Sequence, residues 1–458
     1  MKLQLGNLLM SLTFAGMATA LAAAETTNAP APVKLITLDP EHFHAALVQK
    51  SMYPEVSPIV HVYAPVGEDV QLHLQRIEGY NSRTNSPTHW EEKVYTGPDY
   101  LQRMIAERAG NVVVISGNNS RKAEYISDCI NAGFNVFSDK PMVITPEGFE
   151  LLKAAFKTAA KNKLLLYDIM PERFEITTIL QRELARQPEL FGRLVPGTIA
   201  DAAVAQENVH YYFKSVSGNP LLRPPWFFDV KQQGEGIVDI STHLVDLVQW
   251  EAFPEKILHP NDVKILAAKR WKTTVTPEQF KRITGMDSYP DYLIPYRNAA
   301  GALEVPSNGE FIYTLRGVVA KVSVTWNVDP PSGGGDTHHS ILRGSKADIV
   351  VLQGSAQNYK PTLIVRDKTG ADEAQFEKTL RAAVAKLLPE YPGLHVRKTD
   401  AGWEILVPDT YRDGHEAHFA HVAENYLKYL LHGNIPAWEV PNMLTKYYTT
   451  MEAYKQSR

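Results

Sequence analysis

At 458 residues the chain is longer than one ordinary hydrophobic core serves, so two domains are expected. An apolar share of 44% with 21% charged residues is a globular composition, and a net charge of −4 without a basic block argues against nucleic acid as a partner. The single cysteine, Cys129, excludes an internal disulfide, and Ile126 and Ile130 beside it suggest a buried helix position.

Residues 1–24 read as a secretory signal. Lys2 supplies a positive end, Leu3 to Leu21 is mostly apolar, and Ala22, Ala23 and Ala24 before Glu25 offer a small-residue cleavage site. The run is short for a membrane span and is interrupted by Gly6, Asn7, Ser11 and Thr13. A periplasmic or secreted protein is expected, with no membrane association after cleavage; neither a twin arginine nor a lipid-bearing cysteine accompanies the signal.

After a Pro/Ala/Thr-rich lead at 25–32, strands are expected at 33–38, 59–63, 111–115, 134–137 and 163–167, with helices at 45–53, 122–132 and 146–161. The run at 111–115 is continuously apolar, as in a strand buried on both sheet faces, and Gly133 suits a helix end. This alternation predicts a Rossmann-like, doubly wound parallel sheet over 33–173. Ligands of such sheets bind outside the carboxyl ends of the strands, where the loops at 39–44, 116–120 and 138–141 fall. From about Phe174 the texture changes. Helices at 176–187 and 236–250 are followed by strands at 311–315, 318–328, 340–343, 347–352, 363–366, 394–398 and 403–407, and helices at 372–388, 415–431 and 441–454. Residues 174–458 are therefore expected to form an α+β domain with a large open, mainly antiparallel sheet. The segment 254–306, rich in proline and aromatics, reads as an insertion of long loops.

One stretch stands out for chemistry. Read as a helix, Gly234 to Trp250 places Asp239, His243 and Asp246 at i, i+4 and i+7, on a narrow strip opposite an apolar face. A carboxylate one turn from an imidazole can orient the ring and set its pKa near neutrality, as a general base requires. The plain alternative is the wet side of an amphipathic helix. Among the other histidines, His338 follows the Gly333–Gly335 loop, and His415, His418 and His421 recur every three residues, too spread to build a zinc site alone. They read as structural or pocket-lining, with a metal site shared with His338 as the alternative. Trp226 offers a stacking surface for a sugar ring or is simple core. Arg173, beyond the strand at 163–167, anchors a substrate oxygen or makes an exposed ion pair.

Two motifs in combination resemble a known family. Asp139-Lys140-Pro141 after a strand resembles the Glu-Lys-Pro of the glucose–fructose oxidoreductase / inositol dehydrogenase (Gfo/Idh/MocA) family. Asp239, His243 and Asp246, entered from a glycine-containing turn, resemble its catalytic helix. The resemblance covers 33–250 in order and, more loosely, the sheet to about 355. The part containing His415–His421 and Pro436–Glu439 looks like an extension found in a secreted branch. The resemblance implies that Lys140 lies against nicotinamide and substrate, that His243 takes the proton of a substrate hydroxyl as hydride leaves, and that Asp239 orients His243 or bonds the substrate. It further implies cofactor contacts at Asp39, His42, His44, Tyr63, Ser116, Asn118, Asp139, Lys140 and Met170, substrate contacts at Arg173, Trp226, Asp246 and His338, and no metal.

The sequence departs from the family where the phosphates should bind. A loop of the type G-x-G-x-x-G is expected there, yet residues 38–44 contain no glycine. Either the pyrophosphate lies further off, or His42 and His44 bond it, or the cofactor is weakly held or lost. After the second strand Glu68 or Asp69 substitutes for the usual ribose acid, and the absence of arginine favours NAD over NADP. The reading is an exported NAD(P)-dependent oxidoreductase acting on a hydroxyl of a sugar, polyol or glycoside. Two alternatives stay open: a redox-neutral, NAD-dependent enzyme that cleaves glycosides by elimination, and a non-catalytic carbohydrate-binding relative without cofactor. Partners are a small carbohydrate or glycoside, with homo-oligomerisation through the C-terminal sheet left open.

Overall fold

In a computed structural model, residues 33–216, 219–370 and 372–457 are described; the expected signal at 1–24 lies outside the described residues. The N-terminal half is built on six parallel strands: β1 (Leu35–Leu38), β2 (Ile59–Ala64), β3 (Glu91–Thr96), β4 (Val112–Ile115), β5 (Asn135–Asp139) and β6 (Leu166–Ile169). Their spatial order is β3-β2-β1-β4-β5-β6, so the direction of winding reverses between β1 and β4 and a crevice opens above their carboxyl ends. Helices α1 (His44–Val48), α2 (Glu68–Ser82), α3 (Tyr100–Glu107), α4 (Asn119–Asn131) and α5 (Pro146–Asn162) make the crossovers. The caps follow the sequence: the Asn118 side chain accepts from Ser120 N–H to start α4, and Thr145 accepts from Gly148 N–H ahead of Pro146 in α5. Two local expectations change. Strand β3 escaped notice because its charged residues lie mostly exposed at the sheet edge, leaving no apolar run. Helix α1 spans five residues instead of nine.

A 3-10 turn at Pro171–Phe174 leads into α6 (Ile176–Ala185) and the second half. In chain order come β7 (Val204–Tyr211), the short ribbon of β8 (Ser215–Val216) and β9 (Asn219–Pro220), α7 (Val230–Gln233), α8 (Ser241–Ala252), β10 (Val263–Val275), α9 (Pro277–Thr284), β11 (Leu303–Leu315) and β12 (Val318–Asn327). Then follow β13 (Thr337–Arg343), β14 (Ala347–Gln353), β15 (Thr362–Asp367), α10 (Glu373–Ala385), β16 (His395–Thr399), β17 (Gly402–Leu406), α11 (His415–His432) and α12 (Glu439–Gln456). Nine strands form one sheet in the order β10-β11-β12-β7-β13-β14-β15-β17-β16, antiparallel except where β12 pairs with β7. The expected architecture of two unlike sheets is therefore present.

The segment 254–306 is not loop throughout. It contains β10, which pairs with β11 from Val263↔Leu315 to Val275↔Leu303, and α9. β10 carries Lys264, Lys269 and Lys272 exposed and Arg270 half-buried, which dilutes its apolar signal. The central strand β7 was equally hard to read, because Gln206, Glu207 and Asn208 sit in its middle.

Helices α11 and α12 return to the parallel sheet. Tyr426 stacks on Phe137 of β5 with ring centroids 4.4 Å apart, Phe419 packs on His44 at 4.6 Å, and Met142 N–H donates to the Tyr447 hydroxyl at 3.2 Å. The last forty residues thus seal the β5–β6 flank of a sheet built three hundred residues earlier. Among the described residues, no helix is long and apolar enough to cross a membrane.

Candidate active site

A cavity of about 810 Å³ opens where the carboxyl ends of β1 and β5 face the second sheet. Its wall contains Lys140, Asp239 and His243, three residues far apart in the chain. Lys140 follows the last residue of β5. Asp239 lies in a turn that precedes α8, not on the helix, and His243 occupies the first turn of α8. That turn depends on Gly236: a Cβ there would stand 1.8 Å from the carbonyl oxygen of Ser307 in β11, so only glycine permits the approach.

The expected relation between Asp239 and His243 is corrected. The Lys140 ammonium donates to Asp239 at 2.8 Å, and Gln233 donates to the other carboxylate oxygen at 2.8 Å. His243 Nδ1 has no hydrogen-bond partner. Burial first, and the neighbouring Lys140 ammonium second, push the imidazole down to about 3 instead of holding it near neutrality. The site therefore offers a neutral, unpartnered imidazole beside an ammonium–carboxylate pair.

Of the other expected contacts, His42, His44 and His338 line the same cavity. The imidazole of His44 lies 3.0 Å from the Asp139 carboxylate and that of His42 3.4 Å, while Ser116 donates to the same oxygen at 3.2 Å. Burial keeps His42 and His44 below the usual imidazole range. His338 shares a hydrogen bond with Asn208, and burial lowers it to about 4.

The remaining expected contacts point elsewhere. Arg173 is no substrate anchor in this structure: its guanidinium is locked to Asp246 at 2.6 and 2.7 Å and to Glu439 at 3.0 and 3.1 Å. Asp246 also accepts from Lys446 at 2.8 Å, so it faces α12 and not the cavity. Burial would raise its pKa, but Arg173 and Lys446 hold it below the carboxylate range. Trp226 is buried in the 3-10 turn Pro225–Phe228 and does not line the cavity. Met170 lines a separate cavity of about 340 Å³ beside Arg173. Tyr63 donates to Glu107 at 2.6 Å, and Asp39 accepts from Tyr125 at 2.6 Å.

Sequence reasoning missed Glu172, Arg223, Trp326 and Asp336, all in the cavity wall. Glu172 stands next to Arg173 beyond β6, so the strand-end rule that singled out Arg173 reached the right place and the wrong residue. Arg223 donates to the carbonyls of Tyr212 (2.8 Å) and Tyr211 (3.1 Å) and lies over the rings of Phe227 and Trp326. Asp336 accepts from His210 at 3.0 Å and Lys214 at 2.9 Å.

The sequence matches the family model described as "Oxidoreductase family, NAD-binding Rossmann fold" over 41–167, and that described as "Putative oxidoreductase C terminal domain" over 180–458. A crystal structure from Parabacteroides merdae, described as a "putative oxidoreductase", is 53% identical, covers 94% of this chain and 98% of its own, and superposes with a TM-score of 0.91. The chain belongs to the Gfo/Idh/MocA oxidoreductase family. More distant Gfo/Idh/MocA-like folds include a Thermotoga maritima protein (13% identity, 93% and 98% coverage, TM-score 0.58). Another is a levoglucosan dehydrogenase in complex with NADH and levoglucosan (13% identity, 93% and 97% coverage, TM-score 0.59). No curated protein matches the sequence.

For a Gfo/Idh/MocA protein the group to test against the site is a nicotinamide dinucleotide. At the β5 end the residues fit: Lys140 and the His243 imidazole share one cavity wall. An anion position also exists at the start of α4, filled by a stand-in from the chain itself, since the Glu41 carboxylate accepts the Asn118 N–H at 2.8 Å. Burial, then Asp39 and Asp69, push Glu41 up to about 8, so at neutral pH it occupies this position largely protonated. The donor set fits the dinucleotide once Glu41 gives up that position.

Proposed function

We propose that this chain is an NAD-dependent oxidoreductase that oxidises a carbinol of a sugar, polyol or glycoside, or reduces the corresponding ketone. The observation that carries the reading is the meeting of Lys140, paired with Asp239 at 2.8 Å, and the unpartnered His243 imidazole in one cavity at the carboxyl edge of a Rossmann sheet. When bound, nicotinamide supplies the hydride acceptor or donor; Lys140, beyond β5, would hold its end of the dinucleotide. NAD is preferred to NADP because no arginine stands in the turn between β2 and α2 or in the first turn of α2. A bound levoglucosan in the remote dehydrogenase is consistent with a carbohydrate substrate.

His243 accepts the substrate O–H proton. A depressed pKa does not disqualify it, because the hydroxyl becomes strongly acidic as hydride departs and the oxygen turns into a carbonyl. The Lys140 ammonium, held in place by Asp239, stabilises negative charge developing on that oxygen. Arg223, Trp326 and Asp336, which line the same cavity, would contact the rest of a sugar ring. We further propose that the enzyme acts after export, on the strength of residues 1–24.

The test is to incubate purified protein with NAD and a panel of sugars and glycosides, following reduced nicotinamide and products. Lys140→Met is expected to lose about 10²–10³-fold in turnover and His243→Asn about 10²–10⁴-fold, with both variants folded. Absence of NAD binding and of any nicotinamide reduction across the panel would overturn the reading.

A further inference from the structure

His42, His44 and Asp139 are three residues that each offer a ligand atom within 4.8 Å of the others, a combination of two imidazoles and one carboxylate. The two histidines lie in the loop after β1 and at the start of α1, and Asp139 closes β5, so neighbouring strand ends bring them together. The contact distances carry the argument. Two atoms each bound about 2.1 Å from one ion are about 3.0 Å apart at a right angle and about 3.4 Å apart at the tetrahedral angle. His44 Nδ1 stands 3.0 Å from Asp139 Oδ2, and His42 Nδ1 stands 3.4 Å from the same oxygen.

Hydrogen bonding alone leaves this cluster incomplete. Asp139 Oδ2 already receives His44 and Ser116, and the buried His42 Nδ1 remains without a partner although it faces an anionic oxygen. The His42 Nδ1 and the carboxylate oxygen stand 3.4 Å apart without a hydrogen bond between them, a separation that suits two ligands of one cation. The carboxylate is also fixed in the manner of a ligand with outer support: Ser116 donates to Oδ2 and the Lys140 N–H to Oδ1 at 2.9 Å. Asp139 is 3% exposed and His44 7%, so these are not surface acids gathered by chance. The Lys140 ammonium near the cluster is paired with Asp239 at 2.8 Å, and the Lys122 ammonium donates to the Asp139 carbonyl at 3.2 Å.

We propose that His42, His44 and Asp139 form a binding site for one divalent transition-metal ion of the Zn²⁺ or Fe²⁺ type. Two imidazoles and a carboxylate suit that class, and disfavour Mg²⁺ and Ca²⁺, which take oxygen ligands. The ion would tie the glycine-free loop after β1 to the end of β5, immediately before Lys140. This inference stands on ligand geometry and does not depend on hydride transfer.

The full mature chain, stripped with a chelator and dialysed, is titrated with Zn²⁺ by calorimetry, and Co²⁺ loading is followed by its visible absorption. The expected result is one ion per chain, with Asp139→Asn, His44→Ala and His42→Phe each weakening Zn²⁺ binding at least tenfold. His42→Phe, at the most exposed of the three positions, keeps the test valid if the others fail to fold. A double His418→Ala, His421→Ala variant, which removes the nearby pair around Asp413, is expected to bind like the wild type. No stoichiometric ion in the wild type, equal binding by folded His42→Phe, or loss only in the His418/His421 variant would each overturn the proposal.

Discussion

In the proposed mechanism His243 takes the proton and Lys140 stabilises negative charge, the division of work that the family resemblance implies. The imidazole is kept neutral by burial and by the adjacent ammonium, so it stays a proton acceptor well below the usual imidazole range. The kcat/KM profile is accordingly expected to show no inflection from His243 between about pH 6 and 7, measurable by comparing wild type with His243→Asn. Glu41 offers a second residue-level test. Its carboxyl group holds the Asn118 N–H where phosphates would approach and, raised to about 8, becomes negatively charged only above that pH. Glu41→Gln is expected to remove a weakening of NAD binding that sets in above about pH 8, read by nicotinamide fluorescence or calorimetry; weaker binding by the variant at neutral pH would show that Glu41 assists the cofactor instead. The residue types were legible in the sequence, but their partners were not. Asp239 turned to Lys140, and Asp246 turned to Arg173, because hydrogen-bond partners are set by which strands and helices meet and not by spacing along one helix.

Helix α8 shows how an element can be recognised and its register mistaken. Its apolar run was readable, yet the helix begins at Ser241, because Gly236 presses the preceding turn against Ser307 and leaves Asp239 outside the helical spiral. Behind α8, Arg173, Asp246, Glu439, Lys446 and Asp168 form a buried ionic network that joins β6, α8 and α12. Removing one member leaves its partners charged in a dry interior, at a cost of about 3–5 kcal/mol. Lys446→Met is expected to lower stability to urea by that amount while leaving the KM of the remaining folded enzyme near wild type. A KM effect without a stability effect would return Asp246 to the substrate. β3, β7 and β10 were the longer strands that pattern reading lost, beside helices α2, α3 and α9. Two of the strands lie at sheet edges with wet charged faces and the third carries a polar centre, so period-two alternation is blurred in all three.

Across the whole molecule the C-terminal helices belong to the N-terminal sheet in packing. Phe419, Tyr426 and Tyr447 are fully buried, each worth roughly 1.5–3 kcal/mol of transfer energy, against a total stability of about 5–15 kcal/mol for a typical domain. A chain ending at Gly414 is expected to lose cooperative unfolding, followed by circular dichroism. Buried histidines set the acid limit. Burial lowers His73 to about 3, His243 to about 3 and His338 to about 4, so all three stay neutral when folded and charge below about 6.5 when unfolded. The unfolded state then binds more protons, and stability falls as pH drops from about 6.5 toward those values. Glu92, raised by burial to about 7, opposes this until about pH 4.5, below which the loss is steepest. His73→Phe is expected to flatten that acid limb in pH-dependent melting curves. By itself the sequence determined the two-sheet architecture and the family, and singled out Lys140, Asp239 and His243, which line one cavity, because hydrophobic periodicity and strand-end loops are local properties. Only the tertiary structure decided that Arg173 and Asp246 are locked away, that β10 replaces a supposed loop, that Glu41 fills an anion position, and that His42, His44 and Asp139 converge. Each of those depends on which distant elements share a wall, and no local pattern encodes that.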